Sequence, residues 1–283
     1  MKRPARQAAG AGDQVDNAQE EDQQSGSVRV IARAFDVLRI LALGGERGMR
    51  LTDVVAYSRL SRPTVHRIMQ ALIAEGVGEQ DPDTRFYRVG PEISLLGLSR
   101  PAQLPVRTAA EPYLAALADE LGDTAYLAIR AGLDSVAIDR KTGSYPIKVL
   151  AFDVGMRRPL GVGIAGVLLL AMLPPEESER ICTINAARLP ADGPSMATIR
   201  QRVDAARRNG YAYAEVGVLQ STRALAIPVF DGDGKVAAAL TVAAMAERLA
   251  EPELPRLVEA MRGKAALITR RLAELQRGHA RPR

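Results

Sequence analysis

The chain of 283 residues has one cysteine, Cys182, no tryptophan, and two histidines, His66 and His279. A single cysteine excludes an internal disulfide framework and fits a reducing cytoplasm, and with so few histidines there is almost no material for a Cys/His zinc site. Aromatic residues make up only 4%, which argues against a groove that stacks bases or sugar rings on a row of aromatics. The longest apolar run, Val167 to Leu173, is too short to span a bilayer. Met1 to Gly12 carries Lys2, Arg3 and Arg6 without the apolar stretch of a secretory signal. These absences predict a cytoplasmic protein with no membrane contact, no metal and no other cofactor.

Catalytic material is equally sparse. His279 lies in a basic C-terminal stretch and His66 on a polar helix face, so neither is placed to serve a serine or Cys182 as base. Cys182 falls on an apolar helix face and reads as core. Glu176 and Glu177 follow Pro174-Pro175 and suit the first turn of a helix, where acidic charge is favourable. No catalytic residue is assigned.

What is present is ordinary globular composition, 47% hydrophobic and 25% charged, in a chain long enough for about two domains. The formal net charge is +5, a weak pointer to an anionic partner. From Met1 to Gly26 there are three Lys/Arg against five Asp/Glu, and from Ser27 to Gly90 ten against seven. All ten of the latter are arginines, whose planar fork suits phosphates and guanine edges, although a GC-rich coding bias produces the same enrichment.

Residues 1–26 lack apolar periodicity and read as a disordered tail. Residues 27–90 then carry an ordered series of signals. Val30, Ala34, Val37, Leu38 and Leu41 fall at helical spacing and Gly44-Gly45 ends that helix. A short helix follows from Thr52, which can cap it. A third opens at Ser61, with Pro63 in its first turn and an apolar stripe of Val65, Ile68, Met69, Leu72 and Ile73. The opposite face presents Arg62, His66 and Gln70, flanked by Thr64 and Arg67. Val77 to Gln80 and Arg85 to Val89 read as strands around the turn-forming Asp81-Pro82-Asp83-Thr84.

Helices in this order with a hairpin match a winged helix-turn-helix. Packing the stripe inward leaves donors facing out, so the DNA-facing candidates are Thr52, Ser61, Arg62, Thr64, His66, Arg67 and Gln70. Arg85 and Arg88 are expected on the second wing strand, beside phosphates or in the minor groove. The plainer alternative is the solvated surface of a small helical domain.

Residues 91–104, with Ile93, Leu95, Leu96 and Leu98, read as a linker helix too leucine-rich to be fully exposed. Residues 105–283 alternate helices with short strands, among them Thr124 to Arg130, Ser135 to Asp139, Ile147 to Leu150, Arg223 to Phe230 and Val236 to Ala243. This pattern fits an α+β sensor-like domain rather than a doubly wound sheet. Asp231-Gly232-Asp233-Gly234 looks like a calcium loop but lacks the later ligands, and reads as a hairpin turn.

Gly161-Val162-Gly163-Ile164-Ala165-Gly166 satisfies GxGxxG literally. The preceding Met156 to Leu160 contains two arginines and Pro159 where a dinucleotide fold needs a buried parallel strand, and no strand ending in an acidic residue follows at the required distance. Two readings survive: glycines that permit close packing, or a helix N-terminus whose N–H groups seat a small carboxylate.

Several separate blocks in order give the chain a resemblance to the IclR family of bacterial transcriptional regulators over roughly Val30 to Arg277. They are Arg33-Ala34, Leu60 to Arg67, Tyr87-Arg88-Val89-Gly90, Gly155 to Leu160, and Ala226 to Asp231 leading into Val236 to Val242. The resemblance implies an α+β protein with an N-terminal winged helix-turn-helix, a linker helix, and a GAF-like α/β effector-binding domain. It also implies a homodimer or homotetramer on a palindromic double-stranded DNA operator, with a small organic acid as effector. Arg59 stands where relatives usually have the glycine of the turn. Gly161 and Val167 stand where His and Lys are common, and Ala214 and Ala224 at positions that are polar in members binding a small keto acid. With Thr241 keeping a hydroxyl on the expected pocket strand, this points to a larger, more apolar acid, aromatic or ring-cleaved, held by Gly161, Val162, Gly163, Ile164, Ala165 and Thr241. Two alternatives stay open: a ligand-independent repressor whose second domain only oligomerises, and an enzyme of small acids that regulates its own gene.

Overall fold

The computed structural model describes residues 29–99, 104–150, 152–215 and 221–279; the tail expected over 1–26 lies outside them. The chain divides into two units at residues 101–102.

The first unit comprises α1 (29–43), α2 (Leu51–Ser58), α3 (Arg62–Ala74), a hairpin of β1 (Gly78–Gln80) and β2 (Tyr87–Val89), and α4 (Glu92–Leu98). Its core is the apolar stripes meeting: Val37 and Leu41 from α1, Val54 from α2, and Val65, Ile68, Met69 and Leu72 from α3. Tyr87 brings the hairpin onto this core and exchanges backbone hydrogen bonds with Met49 at 2.8 and 2.9 Å. Leu41 and Met69 are fully buried, each worth about 1.5–3 kcal/mol by burial.

Two local expectations are corrected here. Thr52 does not cap α2; the chain enters the helix at Arg50, whose N–H donates to the Asp53 carboxylate at 3.3 Å, leaving Thr52 as the second helical residue. The second wing strand begins at Tyr87, because Arg85 has a left-handed backbone (φ 61°) and belongs to the turn. Helix α4 covers residues 92–98 of the expected linker, and its Leu95, Leu96 and Leu98 are exposed in the single chain, which leaves a second chain as the neighbour expected to cover them.

The second unit begins with α5 (Pro105–Leu121), β3 (Thr124–Ala131), β4 (Asp134–Thr142) and β5 (Arg157–Pro159). Then come α6 (Ile164–Ala171), α7 (Pro175–Asn185), α8 (Met196–Asn209), β6 (Ala212–Glu215), β7 (Thr222–Phe230), β8 (Val236–Met245) and α9 (Leu254–His279). The strands form one antiparallel sheet in the order β5-β4-β3-β8-β7-β6. Alternation along β8 sorts its faces: Ala238, Leu240, Val242 and Ala244 pack with α5 and α9, while Ala239 and Ala243 pack with α6 and α8. Helix α6 is apolar on every side because it is sandwiched between sheet and helices.

Residues 147–150 are not a strand, contrary to the sequence reading. Strand β5 was not anticipated: its Pro159 argued against a strand, yet proline is tolerated on a sheet edge, where the position of β5 puts it. Because β5 pairs antiparallel with β4, the stretch before the glycines still does not build a dinucleotide fold. Asp231 organises the β7–β8 turn, accepting from the N–H groups of Asp233 and Lys235 at 3.0 and 2.9 Å.

Candidate functional site

In the first unit the outer face of α3 is the candidate nucleic-acid surface. Ser61 caps the helix, accepting from the Thr64 N–H at 3.4 Å, and the two hydroxyls lie 2.7 Å apart, so both are engaged in starting the helix. Arg62, His66, Arg67 and Gln70 are all exposed on the face away from the buried stripe. A protein that holds its recognition helix by one stripe leaves such donors available to phosphates and base edges. The turn before α3 places Arg59 in the left-handed region, φ 55° and ψ 19°.

The wing is braced from within. Asp81 Oδ1 accepts from the Thr84 N–H at 2.8 Å, the Thr84 hydroxyl at 2.9 Å and the Asp83 N–H at 3.1 Å. The Thr84 bonds hold its carboxyl below the ordinary value. Arg88 donates to Asp81 Oδ2 and to the Glu46 carbonyl, both at 3.2 Å, and pairs with Glu79 at 3.3 Å. The structure therefore gives Arg88 an internal partner set, whereas Arg85 is exposed at the turn. Of the two wing arginines, it is the turn residue that faces solvent.

In the second unit the candidate site is a narrow cavity between the sheet and the start of α6. Its floor on the sheet is nearly all small residues, Ala128, Ala137, Ala224 and Ala243, with Thr241 among them, and Val162, Gly163, Ile164 and Ala165 form the helix side. Gly161 does not line it: a Cβ there would come 2.9 Å from Ile199 Cγ2, so this residue faces α8. Gly161 (φ 99°) and Gly163 (φ 81°) both adopt backbone that favours glycine, which lets the chain turn from β5 into α6.

Buried polar groups hold that turn in place. Asn185, buried at the end of α7, donates to the carbonyls of Leu133 and Leu160 at 2.9 and 3.2 Å. Asp134 binds Arg188 at 2.7 Å and Arg157 at 3.4 Å, tying α7 and the edge strand to the same corner. On the far side Tyr126 donates its hydroxyl to the Val149 carbonyl at 2.7 Å, and Arg140 binds the Phe152 carbonyl and Asp153, each at 2.8 Å. These bonds set Phe152 against the cavity, edge-on to Tyr126 with ring centres 5.9 Å apart.

Two polar features stand out in this apolar lining. Thr241 is 6% exposed and its hydroxyl, fully buried, has no hydrogen-bond partner among the described residues. Helix α6 starts at Gly163 with no side-chain cap, and the N–H groups of its first turn have no acceptor within the helix. Behind Phe152, the Arg158 guanidinium lies 4.0 Å from the centre of that ring. Burial lowers its pKa from the ordinary arginine value, with Tyr126 nearby acting the other way. Cys182 lies in the core beyond, its thiol pushed up by burial away from the reactive thiolate form.

The IclR helix-turn-helix domain pattern matches residues 30–82, and that of the bacterial transcriptional regulator IclR C-terminal domain matches residues 101–270. The chain belongs to the IclR family. It is a DNA-binding transcriptional regulator of that family, with an N-terminal helix-turn-helix domain and a C-terminal α/β domain. An HTH-type transcriptional regulator of Mycobacterium tuberculosis is 32% identical over 198 residues, 70% of this chain and 75% of the relative. The regulator KipR of Bacillus subtilis is 26% identical over 228 residues, 79% of this chain and 90% of its own. Among solved structures, an IclR homologue of Microbacterium hydrocarbonoxydans complexed with 4-hydroxybenzoate has a TM-score of 0.67 at 24% identity, covering 86% of this chain and 98% of that one. An IclR regulator from Silicibacter has a TM-score of 0.69 at 24% identity, covering 86% and 96%.

Compared with the sequence reading, the cavity brings together Val162, Gly163, Ile164, Ala165 and Thr241, and leaves Gly161 outside. Sequence reasoning assigned no role to Tyr126, Ser135, Phe152 or Arg158. Arg158 had a signal: strand alternation from Ser135 puts it on the same sheet face, but only once β5 is known to be a strand.

Proposed function

We propose that this IclR protein reads a palindromic operator as a homodimer or homotetramer and that a small organic acid, of aromatic type, modulates its hold on DNA to control a catabolic operon. Residues 27–90 contact DNA, 91–104 link, and 105–283 bind the effector and oligomerise. The observation that carries the effector part is the Thr241 hydroxyl, buried without a partner among the described residues in a mostly apolar cavity at the start of α6. A ligand with a polar group supplies the missing bond, and first-turn N–H groups favour an anion. The acid in the Microbacterium neighbour is of the class intended. Exposed Leu95, Leu96 and Leu98 on α4 support self-association, since a second copy covers them at no cost in polar desolvation.

The test is titration of the purified protein against its own promoter-region DNA at several salt concentrations, with and without a panel of aromatic and aliphatic acids. Tight binding shifted by an acid supports the reading. Tight binding that no acid shifts makes it a ligand-independent regulator. Arg62→Ala or Arg67→Ala is expected to lose roughly 1–3 kcal/mol on operator DNA. Equal loss on random DNA assigns the residue to phosphates instead of bases.

A further inference from the structure

We infer that the C-terminal domain holds a second ligand site, a cavity between α8, β6 and the start of α9 that takes a small zwitterion of the amino-acid type, with its carboxylate on Arg202 and its ammonium on Glu251.

The cavity follows from local geometry. Arg202, Ala205, Ala206 and Asn209 recur at helical spacing and form one face of α8. Gly210, left-handed at φ 72°, ends that helix and turns the chain toward β6, where the alternate residues Tyr211 and Tyr213 flank the same space. Arg262 of α9 donates to the Asn209 carbonyl at 3.3 Å and holds α9 against the end of α8. Alanines on the α8 face, where longer side chains would fill the gap, leave about 260 Å³. That is below the roughly 300–1,000 Å³ of pockets for drug-sized ligands, so the occupant is small. The residues lining this cavity and those lining the effector cavity have only Ile164 in common.

The charges select the ligand. Arg200 and Arg207 on the same helix are paired with Glu179 and Asp204. The Arg202 guanidinium, half-buried, has no hydrogen bond or ion pair among the described residues, and neither has the Glu251 carboxylate. No ion pair joins the two, so a ligand that bridges them displaces no existing bond. An unpaired cation and an unpaired anion on one cavity each gain a charge-assisted hydrogen bond from a molecule carrying both charges. Ile164, Val167 and Ala206, all buried, give that molecule an apolar floor for its tail.

The probe is L-leucine, titrated calorimetrically into the full chain. L-leucinamide, which lacks the carboxylate, and 4-methylpentanoate, which lacks the ammonium, are scored as competitors for leucine, so that an acid lodged in the effector cavity does not count. Wild type is expected to bind leucine about tenfold or more tightly than either analogue. Arg202→Gln is expected to erase the advantage over leucinamide, and Glu251→Gln the advantage over 4-methylpentanoate, in each case by weakening leucine. Ala205→Phe, which fills the cavity, is expected to abolish leucine binding, with circular dichroism showing that the variant is folded. If leucine binds wild type no better than its analogues, or if either charge variant binds it as well as wild type does, the site is overturned. The effector reading stands in either case, since it rests on the other cavity.

Discussion

Replacing Thr241 with valine tests whether the cavity is built for a ligand. The Thr241 hydroxyl is buried on the sheet side of the cavity with no partner among the described residues, and a buried hydroxyl without a hydrogen bond costs about 1–3 kcal/mol in proteins. Valine has nearly the same shape, removes that cost, and places a methyl against the neighbouring alanines. The ligand-free protein is therefore expected to gain about 1–2 kcal/mol, which at roughly 2–4 °C per kcal/mol for a unit of this size raises its melting temperature by several degrees. The ligand side has the opposite sign. A bound acid at a hundred times its Kd stabilises by about 2.7 kcal/mol, and the variant forfeits the hydroxyl's bond, about 1 kcal/mol, or some fivefold in Kd. Thermal denaturation with and without acid reads both effects. A lower melting temperature for ligand-free Thr241→Val refutes the reasoning, since it means the hydroxyl is already satisfied in the folded protein.

Two further substitutions probe the frame around the sites. Asn185→Ala removes two buried hydrogen bonds, leaving the Leu133 carbonyl with the Leu160 N–H at 2.9 Å and the Leu160 carbonyl without its amide donor, so urea denaturation is expected to show a loss of about 1–3 kcal/mol; no measurable loss assigns the Leu160 carbonyl another partner. Arg59→Gly relieves a left-handed backbone at φ 55° between α2 and α3. Glycine's extra freedom in the unfolded chain offsets part of the gain, leaving an expected stabilisation of roughly 0.5–1 kcal/mol, and a destabilised variant indicates that the arginine side chain itself contributes.

The helix-turn-helix was legible because its signals are local. Ser61, Pro63 and the stripe from Val65 to Leu72 each act within a turn or two of helix, so cap, first turn and buried face could be placed by spacing alone. Errors arose where two local solutions compete. Thr52 and Asp53 both suit a helix start, and the chain uses Asp53 with Arg50. Arg85 lies in an extended-looking stretch, but Asp81 gathers the Thr84 and Asp83 N–H groups and bends the turn through Arg85 instead.

The amino-acid order by itself determined the family, the presence of two units, the outward face of α3 and the glycine turn before α6, because capping, helical periodicity and positive φ depend on near neighbours. Tertiary structure alone decided that Arg157–Pro159 is an edge strand, that Arg88 is bound within the wing, and that Thr241 and Phe152 meet at one cavity. Those residues lie on separate strands and a connecting segment far apart in the chain. Their meeting follows from strand order and register in the six-stranded sheet, which no single stretch of sequence encodes.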